Sequence, residues 1–234
     1  MKNFIFLLIA SFLFASCEFI SGNGNVITEK RNLQEIHAVK NSGSIDVEIR
    51  SGENYEISVE DDENILPYII TEVRGGVLNI HYKEGTNINN DHAKVYITAP
   101  SLDKIITSGS GDITSNGVIK SQDGIEFGSS GSGDVEAKVD APSVKVSGSG
   151  SGNISLSGRT KNFDCRMSGS GDVSCADLKT ENTTISISGS GNARVFASVH
   201  LSARTSGSGD IYYSGNPQSP EIHSSGSGDV HAGE

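Results

Sequence analysis

Along the second half of the chain, apolar residues fall at every second position on both sides of one recurring phrase, which is the period of a strand with one face in a core. The phrase is Gly109-Ser110-Gly111-Asp112. It returns at Gly131, Gly150, Gly169, Gly189, Gly207 and Gly226, with Asn153 and Asn192 replacing Asp in two copies. Four residues before the first Gly of each copy stand Ile105, Phe127, Val146, Cys165, Ile185, Ala203 and Ile222. Directly after the Asp or Asn stand Ile113, Val135, Ile154, Val173, Ala193, Ile211 and Val230. One strand therefore runs into the phrase and another leaves it. First Gly to first Gly measures 22, 19, 19, 20, 18 and 19 residues. That period fits one coil of a β-solenoid with slack in a loop, and is too short for helical repeats. The glycines predict a turn with φ > 0, and the small Ser lets successive coils stack at one shared corner. At a strand spacing of about 4.8 Å, seven corners make a rod roughly 29 Å long.

Before the first phrase the alternation persists in Ile45–Ile49, Tyr55–Val59, Val77–Tyr82 and Val95–Thr98, without the corner. Ser51-Gly52-Glu53-Asn54 and Arg74-Gly75-Gly76 read as hairpin signals, and residues 65–71 as a helical turn across Pro67. Asn41-Ser42-Gly43-Ser44-Ile45-Asp46 reads as a worn first corner. A first coil left bare would expose apolar side chains and unpaired backbone, so residues 26–107 are expected to form a divergent β cap and residues 108–234 the regular coils.

The N-terminus changes the cellular picture. Lys2 followed by an apolar run from Phe4 to Phe14, too short to span a bilayer, predicts an export signal. Phe14-Ala15-Ser16-Cys17 resembles a bacterial lipobox, with Phe14 where Leu is usual. Residues 1–16 then form the signal peptide, Cys17 carries the lipid, and residues 17–25 are a tether; plain secretory cleavage leaving Cys17 free is the alternative. The expectation is an exported chain held in the outer membrane, facing the periplasm or the exterior, with acyl chains as its membrane contact.

Composition narrows the partners. The chain carries 28 Gly, no Trp and 6% aromatics, so stacked aliphatic side chains and backbone ladders must hold it together. A formal net charge of −11 argues against nucleic acid and against electrostatic binding to anionic lipid.

The column Asp112, Asp134, Asn153, Asp172, Asn192, Asp210, Asp229 is the foremost chemical candidate. Stacked carboxylates about 4.8 Å apart repel by roughly 0.9 kcal/mol even in water. Asn relieves this at most steps, leaving Asp112/Asp134 and Asp210/Asp229 as weak cation candidates, for Ca²⁺. The competing reading is that each Asp or Asn accepts backbone N–H bonds within its own turn. Cys165 and Cys175 fall on core columns, as buried thiols or as a disulfide. The six His residues show no ligand spacing, so no metal is assigned. The Ser-rich corner lacks the setting of a nucleophile elbow, and no catalytic residue or cofactor is assigned. Tyr212, Tyr68, Tyr82 and Tyr96 are candidate ring faces for a sugar or peptide.

The segment "NLQEIHAVKNSGSIDVEIRSGENYEISVEDDENILPYIITEVRGGVLNIHY", then "VYITAPSLDKIITSGSGDI" and the serial coils, resembles the family of putative auto-transporter adhesins with a head GIN domain, common among lipoproteins of Bacteroidetes-type bacteria. The resemblance covers about residues 26–230. It implies an all-β, right-handed parallel β-helix, an extracytoplasmic site and an adhesive or surface role. A true autotransporter carries a C-terminal membrane barrel, whereas this sequence stops at Glu234, so a lipid on Cys17 is expected to do the anchoring. The expected function is a non-enzymatic envelope lipoprotein, a rod that binds an unidentified protein or glycan. A carbohydrate-active enzyme on acidic polysaccharide is one alternative, and a structural assembly protein self-associating through its last coil is another.

Overall fold

A computed structural model describes residues 19–32, 34–89 and 92–233. The chain is all-β, a β-solenoid of about 6 turns. Two parallel sheets meet at the glycine corner. The incoming sheet stacks, in spatial order, Val77–Tyr82, Ala38–Ser42, Lys104–Thr107 and Ile125–Ser129, then the later halves of Val135–Gly148, Ile154–Met167 and Leu178–Ile187, then His200–Thr205 and Glu221–Ser224. The outgoing sheet stacks Lys94–Ala99, Asp46–Ser51 and Ile113–Lys120, the earlier halves of the long strands, Val173–Cys175, Ala193–Phe196, Ile211–Ser214 and Val230–Ala232.

The core is the narrow space between these sheets. Six of the seven apolar residues placed four before the corner are buried, and the seventh, Ile222 in the last layer, is 41% exposed. The residues after the Asp or Asn are buried from Ile113 to Ile211, with Val230 half-buried. Cys165 and Cys175 both lie in this core as free thiols. Burial pushes the Cys175 thiol up to about 12. It pushes Cys165 well above the ordinary thiol range, with the neighbouring Cys175 adding to the effect.

The N-terminal end departs from chain order. The layer formed by Val77–Tyr82 and Lys94–Ala99 lies outside the layer formed by Ala38–Ser42 and Asp46–Ser51, and the regular coils start on the other side of that second layer at Lys104. Antiparallel strands finish both sheet edges. Ile69–Arg74 pairs with Val77–Tyr82, and Glu56–Asp62 pairs with Lys94–Ala99 while taking Val26–Arg31 on its far side. Gly75 and Gly76, at φ +58 and +76, make the two-residue hairpin turn that Arg74-Gly75-Gly76 predicts. The other expected hairpin, at Ser51–Asn54, does not form: Lys94–Ala99 lies between the two strands that this turn joins. Leu66–Tyr68 forms a single 3₁₀ turn containing Pro67.

Candidate functional site

The corner column is built by contact between coils. Ser132 and Gly133 both donate backbone N–H bonds to the Gly109 carbonyl, at 2.9 and 3.1 Å, and the pattern recurs at Ser151/Gly152 onto Gly131 and Ser208/Gly209 onto Gly189. The coils lie so close that a Cβ on Gly131 would stand 1.9 Å from Gly109 O, and one on Gly169 would stand 1.7 Å from Gly150 O. Close approach is therefore why glycine occupies these positions. The expectation that both corner glycines supply φ > 0 fails: from Gly109 to Gly228 only Gly226 among them has that conformation.

The Asp/Asn column serves the same stacking. Oδ1 of Asp112 accepts the backbone N–H of Asp134 at 2.8 Å, and Oδ1 of Asp134 accepts that of Asn153 at 2.7 Å. The relay continues through Asp172, Asn192, Asp210 and Asp229. It begins one layer earlier than the repeated phrase, because Asp46 Oδ1 accepts from Asp112 N at 2.9 Å. The expected bonds within each residue's own turn are thus corrected: each side chain binds the following coil, since the tight glycine contact brings that N–H within reach. Each carboxylate among Asp112, Asp134 and Asp210 has one oxygen engaged in this relay, and the described residues contain no group of three or more His, Cys, Asp or Glu arranged for a metal. Cys17, the expected lipid site, lies outside the described residues.

A second column was not singled out in the sequence although its signal is complete there. Ser108, Ser130, Ser149, Ser168, Ser188, Ser206 and Ser225 precede the first Gly of every copy, and all are exposed. Beside them Gly128 and Ser147 leave a gap among the longer side chains on the outer face of the incoming sheet. The result is an open groove of about 530 Å³, walled by Ile106 on one side and Arg166 and Met167 on the other.

The tyrosines are less available than alternation alone suggests. Tyr212 is half-buried, stacked on His231 with ring centroids 5.2 Å apart, and its hydroxyl donates to Asp210 Oδ2 at 3.3 Å. Tyr82 is half-buried, and burial pushes its phenol up to about 12, with Asp61 adding to the shift. Tyr96 lies under the Arg50 guanidinium at 4.6 Å, with the Lys94 ammonium 5.4 Å from its ring. Tyr68 is half-buried as the last residue of the 3₁₀ turn.

The sequence that builds this stacked edge matches a known family. The pattern of the putative auto-transporter adhesin, head GIN domain, family fits residues 35–217. The chain belongs to this family. Solved structures agree on the fold. A putative adhesin from Bacteroides fragilis, 21% identical, superposes with a TM-score of 0.87 over 91% of this chain and 99% of its own. A protein from Parabacteroides distasonis described as a putative lipid binding protein, 26% identical, gives 0.73 over 93% and 100%. A putative adhesin from Parabacteroides merdae, 23% identical, gives 0.70 over 92% and 99%. Among curated proteins none matches.

Proposed function

We propose that this head GIN domain chain is a non-enzymatic envelope lipoprotein, anchored in the outer membrane by acyl chains on Cys17, whose rigid rod binds other surfaces through its sheet faces. One observation carries the reading. The corner Asp and Asn side chains from Asp112 to Asp210 are engaged in fastening coil to coil, which leaves the flat faces as the surface open to a partner. The family description supports an adhesive role. A preformed, rigid surface loses little conformational entropy when a partner docks, which suits adhesion. The groove beside the serine column offers an extended hydroxyl-lined surface for a polymer or peptide.

The test is to label the detergent-solubilised full chain and present it to arrays of glycans and extracellular proteins, with vesicles added because one relative is described as lipid binding. Saturable binding to an array member supports the reading, and binding to none overturns it. Anchoring is tested separately: an alkyne fatty acid fed to cells should label the wild-type chain, and Cys17→Ser should remove that label.

A further inference from the structure

At the N-terminal end of the outgoing sheet, strands from four distant parts of the chain lie side by side. Their register sets Lys30, Ser58, Tyr96 and Glu48 in one row across Val26–Arg31, Glu56–Asp62, Lys94–Ala99 and Asp46–Ser51. The next row holds Glu56, Thr98 and Arg50. Because Ser58 and Thr98 are short between longer neighbours, a cavity of about 420 Å³ opens there.

The charge of this cavity runs against that of the chain. Three basic residues, Lys30, Arg31 and Arg50, line it against one acid, Glu56, in a chain of net charge −11. Arg31 is a fixed wall: it donates to the Leu66 and Ile69 carbonyls and the Thr71 hydroxyl, and pairs with Glu29. Arg50 is held differently. Its Nε donates to Glu48 Oε1 at 2.7 Å and its plane sits over the Tyr96 ring, so the guanidinium is oriented while neither Nη has a hydrogen bond among the described residues. Lys30 is exposed and makes no ion pair among the described residues. Tyr55 supplies ring surface, Tyr96 backs the Arg50 guanidinium, and the Ser58 hydroxyl is a polar floor.

A pre-oriented guanidinium edge suits the two oxygens of a carboxylate, and an ammonium three strands away on the opposite side of the cavity adds charge without demanding geometry. A tyrosine ring and hydroxyls suit a sugar ring, whose C–H face packs on the aromatic while its hydroxyls hydrogen-bond. We propose that this cavity binds a carboxylated saccharide, uronic acid units of an acidic polysaccharide, with one carboxylate on Arg50 and that of another unit on Lys30. The proposal deepens the reading of the sheet faces as binding surfaces by naming one ligand class, and its failure would leave that reading standing if the arrays still show binding elsewhere.

The probe is tetragalacturonate, titrated calorimetrically into the detergent-solubilised full chain, with its methyl ester as the uncharged control. The expected result is saturable binding that weakens at least tenfold in the ester and in each of Lys30→Gln and Arg50→Gln, while Arg159→Gln, on an exposed ion pair with Asp140 at another edge, leaves it unchanged. Lys30→Gln keeps the test decisive if Arg50→Gln disturbs folding, since Lys30 is exposed. Absence of tetragalacturonate binding, equal binding of the ester, or indifference to Lys30→Gln would overturn the proposal. So would binding to phosphatidylglycerol vesicles that is lost in the same variants without any response to the saccharide, which would assign the cations to a lipid headgroup.

Discussion

At the scale of the residue, the corner glycine and the acid or amide that follows it do different work. Gly169 has no room for a side chain, so Gly169→Ala must push adjacent coils apart; a loss of more than about 3 kcal/mol, or failure to fold, is expected in urea denaturation. Gly85, where a Cβ would meet nothing within 4 Å, is the contrast: Gly85→Asn keeps a residue tolerant of its φ of +77 and should cost well under 1 kcal/mol. Asp134 is an acceptor before it is a charge, taking hydrogen bonds from both the backbone and the side-chain nitrogen of Asn153. Asp134→Asn keeps the acceptor and removes repulsion with Asp112, so its stability should match or exceed the parent at low salt. Asp134→Ala should cost about 1 kcal/mol, the usual worth of such a bond. The importance of these positions was legible in the repeat itself. Their mechanism was not, because φ and the identity of a donor one coil away are properties of stacking that a phrase read alone does not carry.

At the scale of the element, each strand contributes one row of side chains to a narrow core, and Cys165, Cys175 and Tyr82 sit there or at its edge with raised pKa values. Cys165, Cys175 and Tyr82 are all favoured in their neutral forms by burial. Their stabilisation is whole below the pH where the unfolded groups ionise, near 9 for the thiols and 10 for the phenol, and is lost as pH rises toward about 12. Urea midpoints should therefore hold level to about pH 9 and fall above it. Cys175→Ala should flatten that alkaline fall, since a rise from 9 to about 12 makes Cys175 alone contribute on the order of 4 kcal/mol to it. A parent and variant with the same alkaline slope would contradict the assignment. Alternation placed the two cysteines inside from sequence alone. It did not reveal that Lys94–Ala99 separates Asp46–Ser51 from Glu56–Asp62, because a tight turn signal looks the same whether its strands pair with each other or flank a third. The basic cavity was hidden for the same reason: Lys30, Arg50, Ser58 and Tyr96 are brought together only by that non-local register.

At the scale of the whole molecule, stacking makes the chain close to one-dimensional, each coil resting on its neighbours, and the antiparallel strands at the N-terminal end occupy the sheet edges that would otherwise invite pairing. Such a column has two flat faces and one narrow edge, and binding to extended partners follows from that shape more than from any single reactive group. The dependence of every functional inference on one continuous edge can be measured directly. Spin labels placed on a Cys17→Ser background at Ser110 paired with Ser208, and at Ser110 paired with Ser227, report distances along the edge, because these serines are exposed while Cys165 and Cys175 are buried. Five and six coil spacings predict backbone separations of about 24 and about 29 Å, rising by one strand spacing per layer. Distances that do not lengthen from the first pair to the second, or that scatter without regard to layer number, would contradict the stacked corner and the rod built on it.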